Sequence, residues 1–294
     1  MASATHAAPL QPAPLPRFSE LKPSPRMPVI FLGHGSPMNA IEDNASRRSW
    51  QQLGRSFAAA GKYPVPQLIL CISAHWLTRG WWVTAMTQPK TIHDFGGFPQ
   101  ALFDQQYPAP GAPVAAREIA SSIKQPVIGL DDHEWGLDHG AWSVLKPMFP
   151  EARIPVVQLS MDYSRPPAEH FALGQQLARL RDVGVLIVGS GNTVHNLRAM
   201  QWGAGPDKAY DWAREFDQKL GAQIESGDLA GLANFHSLGQ IAALAHPTHD
   251  HLLPLLYTAG AVQASSPASP GRGAQFLNAD FQGASIAMRS VVWA

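Results

Sequence analysis

The stretch PVIFLGHGSP, residues 28–37, joins an apolar run to a histidine that lies between two glycines. An unbroken apolar run of this length is typical of a strand that is covered on both faces of a sheet. Glycine gives up side-chain packing and backbone order, so it is costly at a strand tip unless the backbone approaches something closely or a side chain is aimed there. The stretch therefore predicts a buried strand with a functional loop at its carboxyl end.

Two further apolar runs end in the same way. The run at residues 67–72 is followed by SAHW, which contains His75, and the run at residues 184–188 is followed by GSGNTVHN, which contains His195. Open α/β sheets bind ligands in the crevice beyond the carboxyl ends of their strands. We therefore expect His34, His75 and His195 to meet at one edge of the sheet.

Alternating patterns along the rest of the chain predict the fold class. Apolar runs predict strands at 28–35, 67–75, 82–87, 126–131, 154–162, 184–191 and 284–293. Amphipathic stretches predict helices at 46–61, 114–125, 139–149, 167–182, 210–227 and 249–262. The alternation predicts an α/β fold, a single domain with a largely parallel or mixed central sheet and helices on both faces.

Composition excludes several classes of protein. The 22 Lys and Arg residues equal the 22 Asp and Glu residues, so the basic footprint of a nucleic-acid binder is absent. No apolar stretch approaches the roughly 20 residues of a membrane helix. The single cysteine, Cys71, cannot form an intramolecular disulfide, which predicts a reducing, cytoplasmic setting. Residues 1–26 are rich in Ala and Pro and predict a disordered leader, and residues 27–294 predict the catalytic domain.

A fourth histidine stands at the start of the last predicted helix, in PTHDHLLPLLY. His249 and His251 are two positions apart and cannot share one helix face, so we expect only His251, beside the apolar run, to point into a site. Each histidine alone also fits a turn or a half-buried packing position. Four imidazoles at strand and helix ends instead favour a zinc, iron or copper site, and three nitrogen ligands with open positions are typical of a catalytic one.

Two loops could complete such a site. In GLDHGAW, Asp138 is a candidate N-cap, and His139 is either incidental to that cap or lies at the rim of the site and hydrogen bonds substrate. The loop TIHDFGGFP, residues 91–99, could cover a pocket or be a plain surface loop. Competing motifs are absent from the sequence: it contains no nucleophile elbow, no phosphate-binding loop and no H-E-x-x-H.

Six motifs, in order along the chain, carry a resemblance to a known family. The sequence resembles the class III, LigB-like extradiol ring-cleavage dioxygenases, and within them the 4,5-DOPA extradiol dioxygenase branch, at GHGSPMN (33–39), SAHW (73–76), TIHDFGGFP (91–99), GLDHGAW (136–142), GSGNTVHNLR (189–198) and PTHDHLLPLLY (247–257). The resemblance implies an α/β fold with one non-haem metal, Fe(II) for ring cleavage with Zn(II) also seen in the branch. It implies a catecholic aromatic substrate and O₂ as partners.

Carried over residue by residue, the resemblance places the metal-site histidines at His34, His75, His195 and His251. The family's histidine beside the ligands or the substrate falls on His139. The wider class uses two histidines and a carboxylate, whose position falls on His251 here, so His195 is either a fourth ligand or a catalytic base. The expected catalytic residues are therefore His195 and His139, and we expect the glycines around His34 to give its imidazole room to reach the metal.

Two alternatives belong to other classes of protein. A zinc hydrolase could use the same histidines, because zinc lowers the pKa of bound water to about 7. A non-catalytic metal-binding or small-molecule-binding protein could use them as well. Trp76, Phe95 and Phe98 could line an aromatic pocket or serve ordinary packing. The sequence leaves the natural catechol and the oligomeric state open.

Overall fold

The computed structural model describes residues 18–265 and 273–294. Its strands are β1 Val29–Gly33, β2 Leu68–Ser73, β3 Leu77–Thr78, β4 Trp81–Thr84, β5 Ile128–Asp131, β6 Val156–Gln158, β7 Met161–Asp162, β8 Val185–Gly191, β9 Ala274–Leu277, β10 Phe281–Gln282, β11 Ile286–Ala287 and β12 Ser290–Trp293. Its α-helices are α1 Ala45–Arg55, α2 Gln100–Phe103, α3 Pro113–Ser122, α4 His139–Met148, α5 Pro167–Leu177, α6 Asp211–Ser226, α7 Gln240–Ala245 and α8 Leu253–Ser265. Short 3₁₀ helices lie at Pro37–Ala40, Ala178–Val183, Leu197–Ala199 and Gly231–Leu238.

The central sheet has six strands in the order β6-β2-β8-β1-β12-β9. The first four strands are parallel, β12 runs antiparallel to β1, and β9 runs antiparallel to β12. Every residue of β1, β2 and β8 is buried, as the unbroken apolar runs predicted. The predicted α/β class with a mixed, largely parallel sheet is confirmed.

Helices cover both faces of this sheet, because successive strand residues point to opposite sides. Val29 and Phe31 pack with the apolar residues of α5, α6 and α8 in one core. Ile30 and Leu32 pack with α1 and α4 in the other, where Cys71 is a buried, free thiol. Each face of β1 therefore faces a layer of helices.

Helix α8 is buried along nearly its whole length, from Leu253 to Val262. It crosses α5 at two glycines that bring the helix backbones together. A Cβ at Gly174 would lie 2.3 Å from the Tyr257 carbonyl oxygen, and a Cβ at Gly260 would lie 2.2 Å from the Phe171 carbonyl oxygen. This close crossing fixes α8, and with it the segment just before α8 that carries His251.

Several elements differ from the sequence prediction at their ends. The strand predicted at 154–162 is two strands, β6 and β7, and the strand predicted at 284–293 is likewise divided into β11 and β12. The helix predicted at 249–262 begins as α-helix only at Leu253. Strands β3, β9 and β10 and helices α2 and α7 were not predicted. Most of them are too short to show a period, and the residues of β9 are at most half-buried.

The predicted leader lies largely outside the described residues, which begin at residue 18. Residues 18–26 are held against the domain by hydrogen bonds from the Ser19 amide to Glu118, from the Lys22 amide to Gln67 and from Arg26 to Asp182. The disorder expected for residues 1–17 stays a prediction.

None of the helices in residues 18–265 and 273–294 combines the length and the apolar character needed to cross a bilayer.

We expect Gly174→Ala to lower the free energy of unfolding by about 2 kcal/mol, because the new methyl group meets the Tyr257 backbone, which cannot move without separating α5 from α8. Urea denaturation followed by circular dichroism measures this. Gly96→Ala is the matched control, since no atom lies within 4 Å of a Cβ placed there, and its effect should stay below about 1 kcal/mol. Equal effects at the two positions would contradict the close crossing.

Candidate metal centre

Three predicted histidines meet at the carboxyl edge of the sheet. His34 directly follows β1, His75 follows β2, and His251 precedes α8. The ring centroids are 5.1 Å apart for His34 and His75, 5.2 Å for His34 and His251, and 5.0 Å for His75 and His251. One ring nitrogen of each lies within 4.8 Å of the others. The prediction that these histidines converge is confirmed.

A buried serine sets the tautomer of His34. The Ser190 hydroxyl donates its one hydrogen to the carbonyl oxygen of Gly140, so it can only accept from His34 Nδ1, which lies 3.0 Å away. The proton of His34 therefore sits on Nδ1. The lone pair on Nε2 is left facing the other histidines.

Carboxylates act in the same way on the other two histidines. Asp250 Oδ2 lies 2.7 Å from His251 Nδ1, and Asp94 Oδ2 lies 3.4 Å from His75 Nδ1. An ionised carboxylate only accepts, so it favours a proton on Nδ1 and leaves Nε2 free, which is how metal-ligating histidines are usually oriented.

The arrangement leaves lone pairs opposed to each other. Nε2 of His34 and Nε2 of His75 are 3.3 Å apart. With both protons on Nδ1, neither of these nitrogens can donate a hydrogen bond to the other. A cation bound by both nitrogens would satisfy them. Three neutral imidazoles are a donor set that suits zinc or iron, so the residues present fit a resident divalent metal.

Burial keeps the imidazoles of His34 and His75 neutral. It lowers the pKa of His34 well below the ordinary value, and the neighbouring His251 lowers it further. Burial and then His139 lower the pKa of His75 in the same direction. For Asp250, burial is the largest single influence and raises the pKa, but the hydrogen bond and charge interaction with His251 and a hydrogen bond from Thr248 together outweigh it and hold the carboxyl ionised. At neutral pH His34 and His75 are therefore in the form that binds metal.

His195 lies beside the three histidines rather than among them. Its ring stacks on that of His251, with centroids 3.4 Å apart and planes only 3° from parallel. Its amide donates to the Ala245 carbonyl oxygen, and it forms a β-bridge with Ile286. Burial, followed by the effect of His251, lowers the pKa of His195 to about 2. It is a neutral imidazole on the cavity wall.

His139 stands at the first turn of α4. Asp138 accepts a hydrogen bond from the Ala141 amide, so the predicted N-cap is confirmed. The His139 ring nevertheless lies 3.9 Å from the His75 ring. Asp94 Oδ1 is 2.9 Å from both the backbone nitrogen and Nδ1 of His139, and the backbone contact is the aligned hydrogen bond. Asp94 thus joins His75 to His139.

The glycines around His34 serve a different purpose from the one expected. A Cβ at Gly33 would lie 2.6 Å from the Met288 carbonyl carbon. Gly35 has a φ of +56°, and a Cβ there would lie 2.4 Å from Met288 Sδ. The chain just before β12 therefore occupies this space. The expectation that the glycines give the imidazole room is wrong, because they admit the Met288 segment.

A cavity of about 280 Å³ opens onto the histidines. Phe95 and Phe98 line it, so the loop at residues 91–99 forms part of the pocket wall, whereas Trp76 stacks on Trp135 instead. Sequence reasoning missed the anchoring roles of Asp94, Asp250 and Ser190. It also missed four apolar residues that line the cavity, Leu197, Met200, Trp202 and Ile286. Asp250 could have been suspected from its place between two histidines; nothing in the sequence marks Trp202.

Comparison with known proteins assigns the family. Residues 28–280 match the family model of the catalytic LigB subunit of aromatic ring-opening dioxygenase. The chain belongs to this LigB family. A 4,5-DOPA dioxygenase extradiol of Escherichia coli strain K12 is 49% identical over 250 residues, covering 83% of this chain and 88% of that protein. One from Beta vulgaris is 37% identical over 248 residues, covering 82% and 88%.

A solved structure agrees with the assignment. The crystal structure of an uncharacterised protein from Escherichia coli K12 is 40% identical, with a TM-score of 0.76, and the match covers 92% of this chain and all of that one. The resemblance stated from the sequence is confirmed, and this LigB-family chain is a ring-cleaving dioxygenase, an oxidoreductase.

The low pKa of His195 predicts a pH dependence for the metal-free protein. The unfolded chain has a histidine pKa of about 6.5, so below that pH it binds a proton that folded His195 refuses. The stabilisation is complete above pH 6.5 and is lost as the pH falls. We expect His195→Gln to reduce the slope of unfolding free energy against pH by about one proton between pH 6 and 4.5. Urea denaturation at several pH values measures it, and an unchanged slope would contradict the burial of His195.

Proposed function

We propose that this protein is a metal-dependent extradiol dioxygenase that opens a catechol ring with O₂, with His34, His75 and His251 as the metal ligands. The observation that carries the proposal is that one ring nitrogen of each of these three histidines lies within 4.8 Å of the other two. Ser190, Asp94 and Asp250 hold the opposite nitrogens. The family assignment supports ring opening as the reaction. The three imidazoles could bind the metal at the base of the cavity.

We take ferrous iron as the resident metal for catalysis. When bound, it would supply the exchange of electrons between the catecholate and O₂, whereas zinc would occupy the same nitrogens without redox chemistry. A three-imidazole set suits both ions. Zn(II) in the purified protein is therefore compatible with the proposal.

His195 is proposed as the base. It lies on the cavity wall, outside the group of three ligands, and it is neutral. As a catechol hydroxyl ionises beside it, the negative charge on that oxygen favours the protonated imidazole, so the ring can accept the proton. Stacking on His251 keeps the ring in place during this transfer.

His139 is proposed to hydrogen bond the substrate or O₂ from the opposite wall. The Asp94 carboxylate accepts a hydrogen bond from the His139 backbone amide, and its Oδ1 lies 2.9 Å from Nδ1 of the ring. Because Asp94 also contacts His75, the substrate-contacting histidine and one metal ligand share a single anchor. Their relative position is therefore set by the loop at residues 91–99.

Metal replacement tests the reaction. The protein is stripped of metal, reloaded anaerobically with Fe(II) or Zn(II), mixed with a catechol panel that includes L-DOPA, and then exposed to air. We expect a yellow ring-opened product and matching O₂ consumption with iron only. Iron shown to be bound but no product from any catechol would contradict the proposal and favour a zinc hydrolase, to be examined with ester and amide substrates.

Paired variants separate ligand from base. His75→Ala removes a ligand nitrogen, so we expect most of the bound metal to be lost. His195→Gln should keep about one metal per chain but lower kcat about 100-fold or more, the usual range for a lost general base. Atomic absorption measures the metal, and O₂ uptake measures turnover. Loss of metal from His195→Gln would make His195 a fourth ligand, and retention by His75→Ala would remove His75 from the site.

A further inference from the structure

His75, Asp94 and His139 form a second group of ligand atoms on the cavity wall, beside the three histidines of the proposed metal site. One ligand atom of each lies within 4.8 Å of the other two. The two groups share His75 but face different nitrogens of its ring. Nε2 of His75 lies 3.3 Å from Nε2 of His34, whereas Nδ1 lies 3.4 Å from Asp94 Oδ2.

The ring contacts within this group leave a buried nitrogen unpaired. Only 6% of His139 is exposed, and its Nδ1 has no hydrogen-bond partner among the described residues, although Asp94 Oδ1 lies 2.9 Å away. That oxygen accepts from the His139 backbone amide instead. The 3.4 Å contact between His75 and Asp94 is longer than an ordinary N–H···O hydrogen bond. A buried polar atom without a partner indicates a binding group that the protein itself does not supply.

The distances around Asp94 fit a bound cation. Two atoms that bind one zinc ion, each at about 2.0–2.1 Å, are about 3.3 Å apart when the coordination is tetrahedral. The two nitrogen–oxygen distances, 2.9 Å to His139 and 3.4 Å to His75, lie on either side of this value. Two imidazoles and one carboxylate are donors that zinc accepts, and the fourth position stays open for water.

Charge and access also favour a cation at this place. Burial raises the pKa of Asp94, but the contacts with His139 outweigh it and hold that pKa below its ordinary value, so the carboxylate is negative at neutral pH. No lysine or arginine of the described residues lines the cavity and could pair with it. The side chains of His75 and Asp94 are each 20% exposed, which gives an ion a path from the solvent.

We propose that His75, Asp94 and His139 bind a second divalent cation, best fitted by zinc, next to the metal of the proposed function. The ion replaces the proton on His75 Nδ1, which leaves to solvent, and the ring then bridges the two metals through its two nitrogens. Asp94 and His139 are occupied by the ion and no longer available to a substrate. Building on the function proposed above, the second position is inhibitory: excess zinc stops the iron-loaded enzyme without displacing its iron.

The number of bound zinc ions tests the second position. Metal-free protein is dialysed to equilibrium against micromolar free zinc and analysed by atomic absorption. We expect about two ions per chain for the wild type and about one for His139→Gln and for Asp94→Asn. His133→Gln is the matched control and should keep two, because His133 lies between the carboxylates of Asp132 and Glu134 on the surface, with 74% of its side chain exposed.

Inhibition is measured on the iron-loaded enzyme. Added zinc should lower O₂ uptake with a catechol about tenfold or more, because it removes Asp94 and His139 from their contacts beside the metal. The iron content after gel filtration should stay at about one per chain. His133→Gln should respond to zinc as the wild type does.

Several results would overturn the inference. A wild type that binds only one zinc ion at saturation excludes the second position, and so do two ions retained by both His139→Gln and Asp94→Asn. Loss of the second ion from His133→Gln would move it to the surface. Inhibition that appears only as iron is lost would make zinc a competitor for the first metal. The zinc count does not depend on ring opening, so failure of the proposed function, seen as bound iron without product, is a separate result.

Discussion

The candidate centre depends on one constraint: the outward nitrogen of each converging histidine is held by an acceptor. Ser190 comes from β8, Asp94 from the loop before α2, and Asp250 from the segment before α8. Ser190 and Asp94 come from other elements than the histidines they contact, so the fold orients His34 and His75, whereas Asp250 is the sequence neighbour of His251. A cation bound among the three rings would satisfy the buried lone pairs that result.

The packing around this constraint leaves little freedom. A Cβ at Gly140 would lie 2.3 Å from Ser73 Oγ and 2.8 Å from His75 Cδ2, so α4 can approach the ligand only because this residue is glycine. The same approach lets the Gly140 carbonyl oxygen accept from Ser190, which fixes His34. One contact between a helix and the sheet therefore orients two histidines, and the Asp138 cap holds the start of that helix in place.

Much of this was predictable because the relevant signals are periodic or local. Unbroken apolar runs revealed the buried parallel strands, and the histidines at their tips revealed the edge where a site forms. The position of His195 against His251 was not predictable, since the stacking depends on how α8 packs against β8. Nor was the reason for Gly33 and Gly35, because the Met288 segment that crowds them is distant in sequence. The mouth of the cavity, with Trp202 in a polar turn, shows no period at all.

The loop at residues 91–99 combines two tasks in one short segment. Its Asp94 anchors His75 and His139, while its Phe95 and Phe98 form the wall against which a ring would lie. A movement of Phe95 and Phe98 would thus also shift Asp94 and, through it, His75. The shape of the cavity and the geometry of the centre therefore cannot vary independently. The choice of substrate is linked in this way to the orientation of the histidine rings.

The pairing of β1 with β12 has a consequence for the order of events during synthesis. Gly33 donates through its amide to Ser290 Oγ, 257 positions further along the chain. Until that late segment leaves the ribosome, β1 has one bare edge and His34 lacks its final surroundings. Contacts so distant in sequence form slowly and expose apolar edges meanwhile. One edge of β1 therefore stays unpaired during synthesis until the residues of β12 have been made.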